Sequence, residues 1–248
     1  MVKDMIKTII SGALITAAMF VQAAAAKDVA AKKIPAPWIE GKNYFLIVPS
    51  QPTSVSKGKV EVTEVFSYGC VYCNLFVPVM RKLKSSLPAN VVINYLPASF
   101  NPGEDWPMFQ RAYLTAQVLG VADKAHEAMF DAVWKSGELA IMDPKSNRLK
   151  TPLPTIEDAA RFYARIAGIS AADFVATSKS MGIDTRVNQA DTVVMRYRVS
   201  GTPTLIVNGK YRLDKVSAGG DDETIALVKW LVARESAAPG QAVKAASS

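Results

Sequence analysis

The stretch from Glu64 to Met80, EVFSYGCVYCNLFVPVM, constrains this chain more than any other. It holds the only two cysteines, Cys70 and Cys73, in a C-x-x-C spacing. Ahead of the pair, Lys59 to Phe66 reads as a strand, and behind it Leu75, Phe76, Val79, Met80 and Leu83 recur at helical spacing. A strand that turns into a helix here places Cys70 where the first backbone N–H groups lack partners and the macrodipole is positive. A thiolate at that position gains about 0.3–2 kcal/mol from the dipole. Cys73 follows on the same face of the first turn, within reach for a disulfide. Stabilising the thiolate favours the reduced pair and makes the oxidised pair a better acceptor of electrons from other thiols. The stretch reads as a redox centre.

Other uses of two cysteines fit less well. A zinc site needs about four ligands, and the single distant His126 cannot complete one. Haem attachment requires His directly after the second cysteine, where this chain has Asn74. A disulfide across so short a loop removes little chain entropy and is a weak staple. Free core cysteines remain an alternative on the motif alone.

The N-terminus has the pattern of an export signal. Lys3 and Lys7 form a basic n-region, Ile9 to Val21 an apolar h-region, and Ala24–Ala26 a small-residue cleavage site. Cleavage is expected after residue 26; an uncleaved anchor is the alternative, because Thr8 to Ala26 is nearly long enough to span a bilayer. Exported domains that rely on staples carry several cysteine pairs. With half of its 248 residues hydrophobic, this chain has enough core without them, which leaves its one pair for chemistry. An oxidising compartment such as a periplasm fits. Removing two lysines and Asp4 with the signal takes the formal charge from +7 to +6. The basic residues are dispersed on helix faces, so no nucleic-acid site is expected.

Along the chain, residues 27–43 read as a Pro- and Lys-containing arm, Tyr44–Val48 as a short strand and Val91–Leu96 as another. Pro78 should kink the Cys70 helix. Asp105 is expected to cap a helix carrying Phe109, Ala112 and Ala116, and Ala125, Met129 and Val133 mark a second. Thr155 with Asp158 resembles a capping box, Ser170 with Asp173 starts a short helix, and a last helix of this region begins near Asp184. Strands then return on either side of Asn208-Gly209, a strong hairpin signal. Asp221–Arg234 reads as a terminal helix and 236–248 as a disordered tail. His126, with no visible partner, reads as a surface helix residue.

With FSYGCVYC and GTPTLIVNGKYRL in view, the chain resembles the DsbA family of periplasmic thiol–disulfide oxidoreductases over nearly its whole mature length. The resemblance implies an α/β chain: a thioredoxin fold with an inserted α-helical domain. Residues 1–26 are then a signal peptide, 27–97 and 197–248 the thioredoxin-like part, and 98–196 the insert. Cys70 is implied as the exposed nucleophile and Cys73 as its buried partner, the two forming the redox disulfide. Thr202-Pro203 matches the family's cis-proline loop, which with Gly201 would hold an extended substrate chain; apart from the family, an ordinary trans turn is equally possible. Glu64 matches the family's buried acid, able to take and return the Cys73 proton, with a solvent-paired charge at a strand end as the alternative. The most oxidising members carry Pro-His between the cysteines where this chain has Val71-Tyr72. Tyr72 brings no cation, so a weaker oxidant is expected, and its ring instead offers an apolar rim for unfolded substrates.

These readings make the chain an exported, monomeric enzyme that inserts disulfides into folding proteins, without metal or bound cofactor. A quinone-linked membrane partner is implied as its reoxidant. The alternatives are an isomerase or reductase kept reduced by a partner, and a peptide-binding chaperone with incidental cysteines.

Overall fold

The computed structural model describes residues 38–237; the expected signal peptide, most of the N-terminal arm and the tail beyond 237 lie outside them. The strands are β1 (Phe45–Leu46), β2 (Val60–Phe66), β3 (Val91–Pro97), β4 (Thr204–Val207) and β5 (Tyr211–Leu213). The helices are α1 (Val71–Ser86), α2 (Trp106–Val118), α3 (Ala122–Trp134), α4 (Ile156–Ala167), α5 (Ala171–Ser178), α6 (Met181–Arg196), α7 (Lys215–Ala218) and α8 (Asp221–Ser236). A 3-10 turn, Pro102–Glu104, precedes α2. The five strands form one sheet in the order β1-β5-β4-β2-β3, with β2 and β3 parallel and the other neighbours antiparallel. Helices α2 to α6 are inserted between β3 and β4.

Strand β2 is VEVTEVF, rich in β-branched residues, and every one of its residues is buried. It lies between β3 and β4, and its two faces are covered by different helices. On one face Val62, Leu205 and Val207 share a core with Phe76, Val79 and Leu83 of α1 and Leu227 and Leu231 of α8. On the other, Val65 and Ile206 pack with Val194 of α6, Tyr197 and Val199. At the C-terminal end of β2, Phe66 and Tyr68 enter an aromatic cluster with Phe109, Tyr113, Phe130, Phe162 and Tyr163 of the inserted helices. That third core binds the end of the strand to the insert.

Local signals explain most boundaries. Asn208 and Gly209 both have positive φ, 53° and 64°, as a two-residue hairpin turn requires. Glycine is doubly required at 209, because a Cβ there would lie 2.1 Å from the Gln51 carbonyl oxygen. Thr155 and Asp158 form the full capping box, and Ser170 caps α5. Helix α6 starts at Met181, ahead of the expected Asp184, because Ser180 caps it by accepting from the Ile183 N–H. Asp105 occupies the cap position of α2 at φ 61°, but its side chain makes no capping hydrogen bond. Helix α1 continues past Pro78 to Ser86 and stops at Leu87, where Pro88 disfavours a helical predecessor. The strand expected over Tyr44–Val48 is shorter, Phe45–Leu46, and α8 extends to Ser236.

Candidate active site

Cys70 is the N-cap of α1, in extended conformation, and its sulfur accepts a hydrogen bond from the Cys73 N–H at 3.3 Å. A side chain that satisfies an orphan donor of the first turn is held in place by it, and here the acceptor is the reacting atom. The turn before it is equally constrained. Cys70 N–H donates to the Ser67 carbonyl, and Gly69 N–H to the Ser67 hydroxyl. A Cβ at position 69 would lie 2.7 Å from the Trp106 ring, so glycine lets the insert close down beside the cysteine.

The two thiols differ sharply. The Cys73 thiol donates to the Cys70 sulfur and is the first cause pulling Cys70 from its ordinary 9 down to about 6, against the opposing effect of burial. The Thr202 hydroxyl and the N–H groups of Cys73 and Tyr72 add to it. Cys73 is fully covered, and burial first, then the Cys70 and Glu64 charges, push its thiol well up. At neutral pH the first sulfur is therefore a thiolate and the second a thiol, the distribution a nucleophile and its buried partner need. The cysteines are unjoined, so the geometry is that of the reduced pair.

Sequence-based expectation and structure differ at Cys70. Cys70 was expected to be exposed, but only 5% of its surface is accessible. The cause is the loop 200–204, whose Thr202-Pro203 bond is cis and whose Thr202 carbonyl lies 3.4 Å from the Cys70 sulfur. Gly201 is exposed on the same loop, and Thr204 donates to the Gly201 carbonyl. The Thr202 hydroxyl is buried with no nitrogen or oxygen partner, and the groups it acts on are the two sulfurs.

Glu64 lies in mid-sheet, opposite Leu205 of β4 and Tyr95 of β3, and is 3% exposed. Its carboxyl is pushed from 4.5 to about 8 by burial first and by the Cys70 charge second. A carboxylic acid that keeps its proton at neutral pH near a buried thiol is equipped to exchange it.

Beside the pair runs a groove of about 710 Å³ lined by Tyr72, Leu75, Phe76, Gly201, Pro203 and Val216, with Thr202 between it and the Cys70 sulfur. Tyr72, Leu75 and Val216 are 69%, 65% and 89% exposed, large apolar groups left open to solvent. The far wall is α7, a helix that no sequence period marks, although Asp214 with Ser217 forms a capping box three residues apart. His126 also departs from its expected surface position. It is buried, not at the surface, because α3 turns it into the aromatic cluster, where its Nδ1 is 3.0 Å from the Tyr68 hydroxyl. Among the described residues no group of three or more metal-binding side chains occurs, and no helix is long and apolar enough to cross a membrane.

Comparison with known proteins supports the geometric reading. Residues 61–224 match the model of the DSBA-like thioredoxin domain. The thiol:disulfide interchange protein DsbA of Pseudomonas aeruginosa is 36% identical over 93% of this chain and 97% of its own length. That of Pseudomonas syringae pv. tomato is 34% identical over 93% and 96%. Among solved structures, DsbA of P. aeruginosa superposes with a TM-score of 0.68 at 36% identity, covering 81% of this chain and 96% of the other. The oxidoreductase DsbA of Xylella fastidiosa gives 0.70 at 32% identity, covering 81% and 98%.

Proposed function

The chain belongs to the DSBA-like thioredoxin family and is a thiol–disulfide oxidoreductase, and from the asymmetry of its two sulfurs we propose that Cys70 and Cys73 work as an oxidising pair. In the forward reaction a substrate thiolate attacks the Cys70 sulfur of the Cys70–Cys73 disulfide. Cys73 leaves as a thiolate and takes up the proton that Glu64 holds. A second substrate thiolate then attacks the substrate sulfur of the mixed disulfide, and Cys70 leaves as a thiolate. The substrate loses two electrons and gains a disulfide, and the pair ends reduced. The low affinity of Cys70 for a proton carries this reading, because it makes Cys70 the better leaving group and the reduced pair the stabilised one.

The Thr202-Pro203 loop, with Gly201, offers exposed backbone to an extended substrate segment, and Tyr72 offers an apolar side. Residues 27–97 and 197–248 would carry the exchange, and 98–196 would seal the end of β2 around it. Export to the periplasm, a monomeric state and reoxidation by a quinone-linked membrane partner complete the proposal; the export pattern at residues 1–26 and the relatives' shared chemistry support it.

Two measurements test it. Mixed with a reduced, denatured protein, the oxidised chain should transfer its disulfide stoichiometrically, and Cys70→Ser should abolish transfer. Retained folding assistance in Cys70→Ser would favour a chaperone. Acid quenching and alkylation in cells should trap the pair oxidised; a reduced resting state would favour an isomerase or reductase.

A further inference from the structure

A cavity of about 80 Å³ opens between α1 and α3, with Glu64, Tyr95 and His126 in its lining. A cavity of that size admits on the order of a few waters when its walls are polar. Among the described residues no group hydrogen-bonds the Glu64 carboxyl directly. The acid buried beneath the cysteines thus meets this space, and the imidazole of His126 shares it.

The charge state and tautomer of that imidazole are set by its surroundings. Burial, then Lys84, holds His126 down at about 3, so it is neutral at any working pH. The Tyr68 hydroxyl lies 3.0 Å from His126 Nδ1, and with Tyr68 as the donor Nδ1 is the acceptor. An acceptor Nδ1 in a neutral ring leaves the proton on Nε2. Aromatic rings enclose the rest of the imidazole: Tyr95 lies tilted against it at 4.0 Å, and Phe66, Phe130 and Tyr113 meet it at 4.9 to 5.9 Å. Charged groups reach the cavity from three of the four elements around it, Glu64 from β2, Arg81 and Lys84 from α1, and Asp123 and Glu127 from α3 itself, while β3 contributes the Tyr95 ring. Arg81 and Glu127 pair with each other at 2.5 Å, tying α1 to α3.

We propose that His126 is a positioning residue of the exchange reaction: its Nε2–H, fixed by Tyr68, donates through cavity water to the Glu64 carboxylate. The donor stabilises the ionised form of Glu64 without adding net charge to the core. It acts at the point of the cycle when Glu64 has given its proton to Cys73. Lys84 would serve the same end only by bringing a full charge against the aromatic cluster. The proposal rests on Glu64 as the proton partner of Cys73.

The test follows the Glu64 carboxyl directly, by 13C NMR of glutamate-labelled reduced protein, with Glu64→Gln identifying the resonance. In His126→Phe, which keeps the ring and loses both nitrogens, the Glu64 midpoint should rise by about one pH unit. His126→Gln, which retains an N–H donor, should restore most of the shift. A midpoint in His126→Phe equal to the parent's overturns the proposal, as does a His126→Gln midpoint raised as far as that of His126→Phe. If His126→Phe fails to fold, Tyr68→Phe decides by the same criterion, since it frees Nδ1 and unfixes the tautomer. The underlying role of Glu64 is judged separately: it fails if Glu64→Gln leaves the pH profile of disulfide exchange unchanged, whatever His126 does.

Discussion

The Cys70 sulfur lies 3.4 Å from the carbonyl oxygen of Thr202, a residue 132 positions further along the chain. The carbonyl favours the protonated thiol, while the Thr202 hydroxyl favours the thiolate of both cysteines. One residue thus holds two opposed influences on the pair. Thr202→Val removes only the hydroxyl. The Cys70 midpoint, followed by thiolate absorbance, should then rise by about half a pH unit. Below about pH 6, where Cys70 is protonated, stability should not fall, because the lost oxygen is buried without a nitrogen or oxygen partner. An unchanged midpoint would show that the hydroxyl does not reach the sulfurs.

The partner cysteine has a sharper signature. Its thiol is the first cause of the low Cys70 value, so donor chemistry at position 73 should control the titration at position 70. Cys73→Ala should move the Cys70 midpoint from about 6 upward by about one unit or more. Cys73→Ser, which offers an O–H donor, should stay closer to the parent. Equal midpoints in the two variants would mean that a donor at position 73 does not lower Cys70.

Much of this site was legible because its determinants are local. The strand, the two cysteines and the helix they open are contiguous, and the Asn208-Gly209 turn and the Thr155, Ser170 and Asp221 helix starts each depend on a few neighbouring residues. The cover over Cys70 was not legible, since it comes from a loop brought back across the sheet. His126 escaped for a related reason: its partner Tyr68 is 58 residues away, and its cage is assembled from four elements. A weaker signal was present. His126 stands three and four residues from Met129 and Phe130, on the apolar stripe of α3, and that spacing argues for burial. Helix α7 was too short to show a period, and its Asp214–Ser217 capping pair was the only local mark.

Glu64 should leave its trace on stability. In the reduced folded protein its carboxyl holds a proton to about 8, whereas the unfolded chain releases it near 4.5. Between those values the unfolded state binds fewer protons, so stability declines as pH rises through the window and is flat on either side. Glutamine has no such dependence, and Cys70 titrates in both proteins. The stability advantage of Glu64→Gln over the parent should therefore grow by on the order of 4 kcal/mol from pH 4 to pH 8.5. Urea unfolding of the reduced proteins at several pH values measures it. Parallel curves would mean that Glu64 ionises as freely folded as unfolded.

Tyr72 offers a way to add the charge that this pair lacks. The residue is 69% exposed, at the first turn of α1 beside the Cys70 sulfur. In Tyr72→His an imidazolium would stand near the thiolate and stabilise the reduced form, making the pair a stronger oxidant. Exposure limits the gain to about 0.2–1 kcal/mol, which corresponds to about 5–20 mV for a two-electron couple. The increment should depend on pH. An exposed histidine titrates near about 6.5, so the potential should rise at pH 6 and return to the parent's at pH 8.5. Equilibration with glutathione at the two values separates charge from shape: an increment that persists at pH 8.5 would come from loss of the tyrosine ring, and none at pH 6 would place residue 72 out of electrostatic reach of Cys70.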